Sequence, residues 1–120
     1  MIEKYPGQEF VNKAKAFEDQ GAFESAESVY VAGIQIHPEN YILPARLGAL
    51  LVNVGRAEEA INVFKRALEL KPDDPDIIFN MGLAFQANNN FDEALKFFSK
   101  AQEKGFDKGM VFGCFAEIYE

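Results

Sequence analysis

The sequence predicts an all-α protein: a short solenoid of antiparallel helix pairs, about seven helices in all. Three observations carry that prediction. First, the turn-opening residues Gly21, Gly55 and Asn89 stand 34 residues apart, and the twenty residues that follow each are alike in length and punctuation. Second, apolar residues recur at three- and four-residue spacing on both sides of each of these turns, which is the spacing of one helix face. Third, small residues fall in register (Ala14, Gly48, Gly82; Ala26, Ala60, Ala94; Gly33, Ala67, Ala101), with large ones between them (Phe17, Leu51, Phe85; Tyr30, Phe64, Phe98). Alternating small and large side chains is what interlocked helices require.

Taken in order, the weakest pair comes first. Phe10, Ala14 and Phe17 share one face, Gly21 turns the chain, and Phe23, Ala26, Tyr30 and Gly33 face inward until His37-Pro38 closes the pair. In the second pair Leu47, Leu50, Leu51 and Val54 form the first face. Gly55 then stops the helix cheaply in the left-handed conformation. Ala60, Ile61, Phe64, Ala67 and Leu68 form the second face, and Lys71-Pro72 ends it because proline pushes the residue before it towards extended backbone. The third pair opens on Asp74 as N-cap, with Pro75 at the first helical position. Ile78, Met81, Gly82 and Phe85 make its first face. Asn88-Asn89-Asn90 makes the turn, and Phe91, Ala94, Leu95, Phe98 and Ala101 face inward. Gly105 stops that helix, Phe106 packs back, and Asp107 caps the next.

The composition excludes several functions. The net charge of −7 argues against a nucleic-acid partner held by a basic surface. The acid excess sits mainly in residues 7–40, where two lysines face six acids. The single cysteine, Cys114, excludes an intramolecular disulfide and a cysteine-rich zinc site. No apolar run approaches the ~20 residues that span a bilayer, so membrane insertion is not expected. The opening "MIEKYPGQEF" lacks the apolar stretch of a signal peptide, and a cytoplasmic location is expected.

Nothing points to catalysis, a metal or a cofactor. His37, the only histidine, lies in a turn with no nucleophile beside it, and Cys114 sits among apolar residues, where a free thiol behaves as a small hydrophobe. "KPDDPD" lacks calcium-loop spacing and reads better as a helix start. Of the twelve phenylalanines most fall at packing positions, so a base-stacking platform is not expected.

The pattern Leu47-Gly48…Leu51, Gly55, Ala60, Phe64, Ala67 and Pro72, on a 34-residue period, resembles the tetratricopeptide repeat (TPR) family. On that resemblance residues 1–120 form one domain, with repeats at 7–40, 41–74 and 75–108. Residues 109–120 are in phase with the first helix of a fourth repeat. The resemblance implies a right-handed superhelix whose first helices line a concave groove, and a non-catalytic role in binding a partner peptide or helix. Three positions depart from the pattern. Lys13 replaces a large apolar residue, so α-helical packing at the start is expected to be loose. Pro44 is expected to delay its helix to about Leu43. Phe106 replaces the closing proline.

The resemblance places a polar ladder of Asn12, Arg46 and Asn80 on the concave side, with Cys114 as the next rung. Its neighbours are Lys15, Ala45, Ala49, Val52, Asn53, Phe79, Leu83 and Gln86. This surface is basic at Lys15 and Arg46 and apolar from Ala49 through Phe79 to Leu83. The family's clamp for chaperone carboxylates would fall on Val11, Lys15, Arg46, Asp76 and Asn80. Only Lys15 and Arg46 keep its basic character and Asp76 has the wrong sign, so a chaperone-clamp role is not expected. In residues 109–120 the inward places are assigned to Phe112, Phe115, Ala116 and Tyr119. Met110, Val111, Phe112, Phe115, Ile118 and Tyr119 together make this helix too apolar for one covered on a single side. Two explanations follow: a cut from a longer array, or a surface that packs on another molecule. Two alternative roles therefore stand beside groove binding. One is a self-assembling scaffold, a homo-oligomer built through the last helix. The other is the N-terminal targeting domain of a larger enzyme such as a transferase.

Overall fold

The computed structural model describes residues 6–119, apart from the side chains of Lys108, Phe112, Phe115 and Tyr119. Seven helices run through it in order: α1 (Gln8–Asp19), α2 (Phe23–Ile36), α3 (Ile42–Asn53), α4 (Ala57–Leu70), α5 (Pro75–Ala87), α6 (Phe91–Glu103) and α7 (Lys108–Tyr119). No strand occurs among the described residues.

The turns show why the helices pair. Ala22 N–H donates to Phe17 C=O, Arg56 N–H to Leu51 C=O and Asn90 N–H to Phe85 C=O, each at 2.8 Å. These bonds reach back five residues and close the helix end only if the residue before the donor takes a left-handed conformation. Gly55 does so at φ 84°, and Asn89 does the same work at φ 62° without being glycine. The same closure after α6, Phe106 N–H to Ala101 C=O at 2.9 Å, turns the chain into α7. Helix starts are set by side chains where the sequence supplies them. Asp74 Oδ1 accepts from Asp76 N–H at 2.9 Å and Ile77 N–H at 3.2 Å, and Asp107 Oδ1 accepts from Met110 N–H at 3.2 Å. Pro44 is tolerated as the third residue of α3, because a helix's first turn has no use for that N–H.

Within each pair a ring of the second helix lies against a small residue of the first. A Cβ built on Gly48 would lie 2.6 Å from the Phe64 ring, and one on Gly82 would lie 2.6 Å from the Phe98 ring. Carbon atoms normally stay ~3.5–4.0 Å apart, so each ring occupies the volume that the missing side chain leaves. Tyr30, Phe64 and Phe98 are all fully buried, and each such side chain contributes about 1.5–3 kcal/mol by leaving water. α1 packs tightly through Val11 and Ala14 while Lys13 points to solvent, so its start is not loose.

Two further expectations need correction. Phe23 and Phe91 are 45% and 43% exposed rather than inward. Ala57, at the matching position in the second pair, is 8% exposed. All three are the first residues of their helices. There a methyl group is covered and a phenyl ring projects beyond its cover.

The pairs stack in sequence into an elongated body of 49 × 27 × 22 Å. α3 touches α1 and α5 directly, whereas α2, α4 and α6 make no comparable contact with one another. The stack therefore curves with α1, α3 and α5 on its inner side. Ion pairs fasten the outer layer: the Arg56 guanidinium grips both Glu27 carboxylate oxygens, at 2.6 and 3.1 Å, and also Glu59.

Candidate functional site

All the residues expected in the groove sit on α1, α3 or α5, and the curvature brings these helices together. At the centre α3 supplies Ala49, Val52 and Asn53, and α5 supplies Asn80 and Leu83. With the Phe64 ring behind them they line one cavity of ≈ 70 Å³. Five of the residues expected in the groove (Ala49, Val52, Asn53, Asn80 and Leu83) are thus brought to one place. Phe64, which the sequence marked only for packing, is the sixth wall. Its ring reaches the groove because Gly48 has no side chain to stop it.

Towards the N-terminal end, Lys15 and Asn12 are exposed on α1, and Asn12 Oδ1 accepts from Gln8 Nε2 at 2.9 Å. Arg46 is exposed on α3, and Ala45 beside it is half-buried. The equivalent of the Phe64 ring here is Tyr30, and its hydroxyl donates to Glu18 Oε2 at 2.5 Å. Burial, then the Glu18 carboxylate, push the Tyr30 phenol well above its usual range, and Arg46 beside it pulls weakly the other way. Towards the C-terminal end, half-buried Gln86 on α5 donates through Nε2 to Glu117 Oε2 on α7, at 3.0 Å. Glu117 was not anticipated, because α7 reads in the sequence as an apolar surface.

Several expected site residues belong elsewhere. Phe79 is 4% exposed and forms core rather than groove: its ring stacks on Phe106 at 4.1 Å and 12°, and lies 5.4 Å from Phe98. Phe106 stands where the pattern has proline, so the chain folds back over Phe79. Cys114 does not extend the polar ladder. It packs half-buried against the cluster of Ile78, Phe79 and Phe98, which, with Glu117 close by, raises its thiol pKa. Val111 is 0% exposed in that same cluster and is removed from the assembly surface. α7 thus turns Val111, Cys114 and Ile118 inward and leaves Ala116 exposed, contrary to the inward places assigned to it. Met110 remains exposed at 55%. The side chains of Phe112, Phe115 and Tyr119 lie outside the described residues.

His37 is half-buried with its ring edge-on to Phe10, at 5.8 Å. Among the described residues no three His, Cys, Asp or Glu side chains gather as metal ligands would, and no helix is long and apolar enough to cross a membrane.

An elongated stack of helical hairpins with a lined inner groove defines an all-α solenoid of the TPR class. Residues 48–89 match the family model described as TPR repeat. The chain is similar in structure to the first TPR of Spaghetti (RPAP3) bound to the HSP90 peptide SRMEEVD, with a TM-score of 0.90 and 18% identity, over 98% of this chain and 94% of that one. It is also similar to the second TPR domain of human RPAP3 in complex with the HSP70 peptide SGPTIEEVD, with a TM-score of 0.86 and 20% identity, over 92% of each. In sequence it is 37% identical over 62 residues to the peroxisomal targeting signal receptor of Candida albicans. That match takes in 52% of this chain and 10% of the receptor.

Proposed function

We propose that this chain is a non-catalytic protein-binding module, a TPR scaffold whose concave groove holds a segment of a partner protein. The observation that carries this reading is the cavity between α3 and α5. Ala49, Val52 and Leu83 give it apolar walls, with room for a small aliphatic side chain, and Asn53 and Asn80 border it. A carboxamide both donates and accepts, so two of them grip an extended backbone whatever its side chains. The similar RPAP3 structures hold peptides, which supports the same use of the fold here.

The chain reads as three repeats, 7–40, 41–74 and 75–108, followed by the helix of 109–120, acting in the cytoplasm. The chaperone peptides themselves are not assigned to this groove. Of the five clamp positions, Val11 is 2% exposed and lost to the core, and Asp76 is an exposed acid that repels a carboxylate. Selection of a displayed peptide library on the wild-type protein alone, followed by binding of the enriched peptides to Asn53→Ala/Asn80→Ala, tests the reading. Enriched peptides are expected to lose binding to the double variant, and equal binding to both proteins contradicts it.

One observation favours a second reading, self-assembly through α7. Gly113 and Ala116 are exposed, whereas their counterparts one repeat earlier, Phe79 and Gly82, are covered by α6. Light scattering against concentration tests it: a larger-than-monomer mass that Met110→Glu abolishes supports assembly, and a monomer at all concentrations rejects it.

A further inference from the structure

One column of the groove differs from the rest in being graded by charge. Lys15, Ala49, Leu83 and Glu117 occupy the same position in successive inner helices, 34 residues apart. Lys15 and Glu117 are exposed and Ala49 and Leu83 half-buried. Ala49 and Leu83 line the central cavity. Glu117 is placed on the same side by its hydrogen bond with Gln86 of α5. Lys15 has no ion-pair partner among the described residues. The groove therefore presents a free cation at one end, two apolar positions in the middle and a carboxylate at the other.

The geometry points to a partner of matching polarity. The ligand is an extended segment that is acidic at the α1 end, aliphatic at the α3 and α5 steps, and basic at the α7 end. This deepens the groove-binding reading and rests on it. Packed helices lie about 8–10 Å apart and an extended residue spans about 3.3 Å, so each step takes about three residues. Three steps from Lys15 to Glu117 need about nine residues, some 30 Å of chain. That length fits along a body 49 Å long. The two end charges fix the register of the segment, while the central cavity and the asparagines hold it. Charge complementarity of this kind selects partners and suppresses wrong ones more than it adds affinity.

Four fluorescent decapeptides test the inference by fluorescence polarisation. All are blocked at both termini and carry leucine at the fourth and seventh positions between glycine–serine spacers. Their end residues are Glu/Lys, Lys/Glu, Glu/Glu or Lys/Lys. Using both mixed orders makes the test independent of backbone direction. The wild-type protein is expected to prefer a mixed peptide by about two- to fivefold at each mismatched end. Lys15→Glu makes both groove ends acidic and is expected to move the preference to Lys/Lys. Glu117→Lys makes both ends basic and is expected to move it to Glu/Glu. Both positions are exposed, so melting curves should match the wild type. Work at 0.15 M salt limits the contribution of the remaining net charge. An unchanged rank order of the four peptides in all three proteins overturns the polarity while leaving groove binding intact, provided that Asn53→Ala/Asn80→Ala weakens all four. Binding indifferent to that double variant, or no binding at all, overturns the polarity and the groove reading together.

Discussion

Phe79 and Asn80 are neighbours in the chain, yet substituting them should have opposite consequences. Phe79→Ala removes a ring that is 4% exposed, stacked on Phe106 at 4.1 Å and in contact with Phe98. Truncating a buried phenylalanine costs about 3–5 kcal/mol, and an aromatic pair adds about 0.5–1.5 kcal/mol beyond area. With two ring partners lost and Phe106 left uncovered, the expected cost is about 4 kcal/mol. That is a large share of the roughly 5–15 kcal/mol that holds a domain together. At a chain length between those for which the scaling is best known, about 4 °C is lost per kcal/mol, so Tm should fall by about 15 °C. Phe79→Leu keeps most of the volume and should cost about 1 kcal/mol. Asn80→Ala, at the edge of the cavity, should stay within about 0.5 kcal/mol of wild type. Thermal melts followed by circular dichroism, with urea titrations alongside, read all three. If Phe79→Ala melts within about 3 °C of wild type, the α5–α6–α7 packing described above is wrong.

Other outcomes follow from single contacts. Asp74→Ala removes the oxygen that satisfies two backbone N–H groups at the start of α5, and should cost about 1 kcal/mol by urea denaturation; Asp74→Asn should recover most of it. The Tyr30 phenol is raised above its unfolded value, so its contribution is complete below about pH 10 and is lost as pH rises beyond it. Alkaline melts should therefore show a loss of stability that Tyr30→Phe reduces, and an identical alkaline profile in the variant contradicts the burial of that hydroxyl. Glu59 is held below its ordinary range by Arg56, so its contribution is present at neutral pH and is lost as pH falls through the lowered value. In Arg56→Ala the acid limb of the stability profile should be correspondingly shallower. Cys114, half-buried with a raised pKa, should react with a thiol reagent at pH 7 several-fold more slowly than a free cysteine, and at the free rate once unfolded.

The period made most of the fold legible. Gly55, Gly48 and Phe64 each have one mechanical reason for their place (a left-handed turn, a vacated volume, a ring to fill it), and each reason repeats 34 residues on. The cavity residues Ala49, Asn53, Asn80 and Leu83 were legible for the same reason, since register alone puts them on one side of adjacent helices. Phe79 was not, because adjacent helical residues differ by only ~100° and the deciding contact comes from Phe106, a position where the pattern is broken. Val111 and Cys114 were misjudged in the same way. The rotation of α7 is set by its fit against Ile78, Phe79 and Phe98, and its own low contrast between faces leaves that rotation unmarked in the sequence. Glu117 gained meaning only through Gln86, a contact between residues distant in the chain.

The central claim is that partners dock on the inner side of the stack, across α1, α3 and α5. Amide chemical-shift mapping tests it most directly, with a library-selected peptide titrated into the isotopically labelled protein. The largest shifts are expected at Ala49, Val52, Asn53, Asn80 and Leu83, with the solvent-facing residues Asn62 and Lys65 of α4 and Ser99 of α6 unmoved. Shifts concentrated on those outer residues, with the cavity residues silent, would place the binding surface on the convex face and contradict the account.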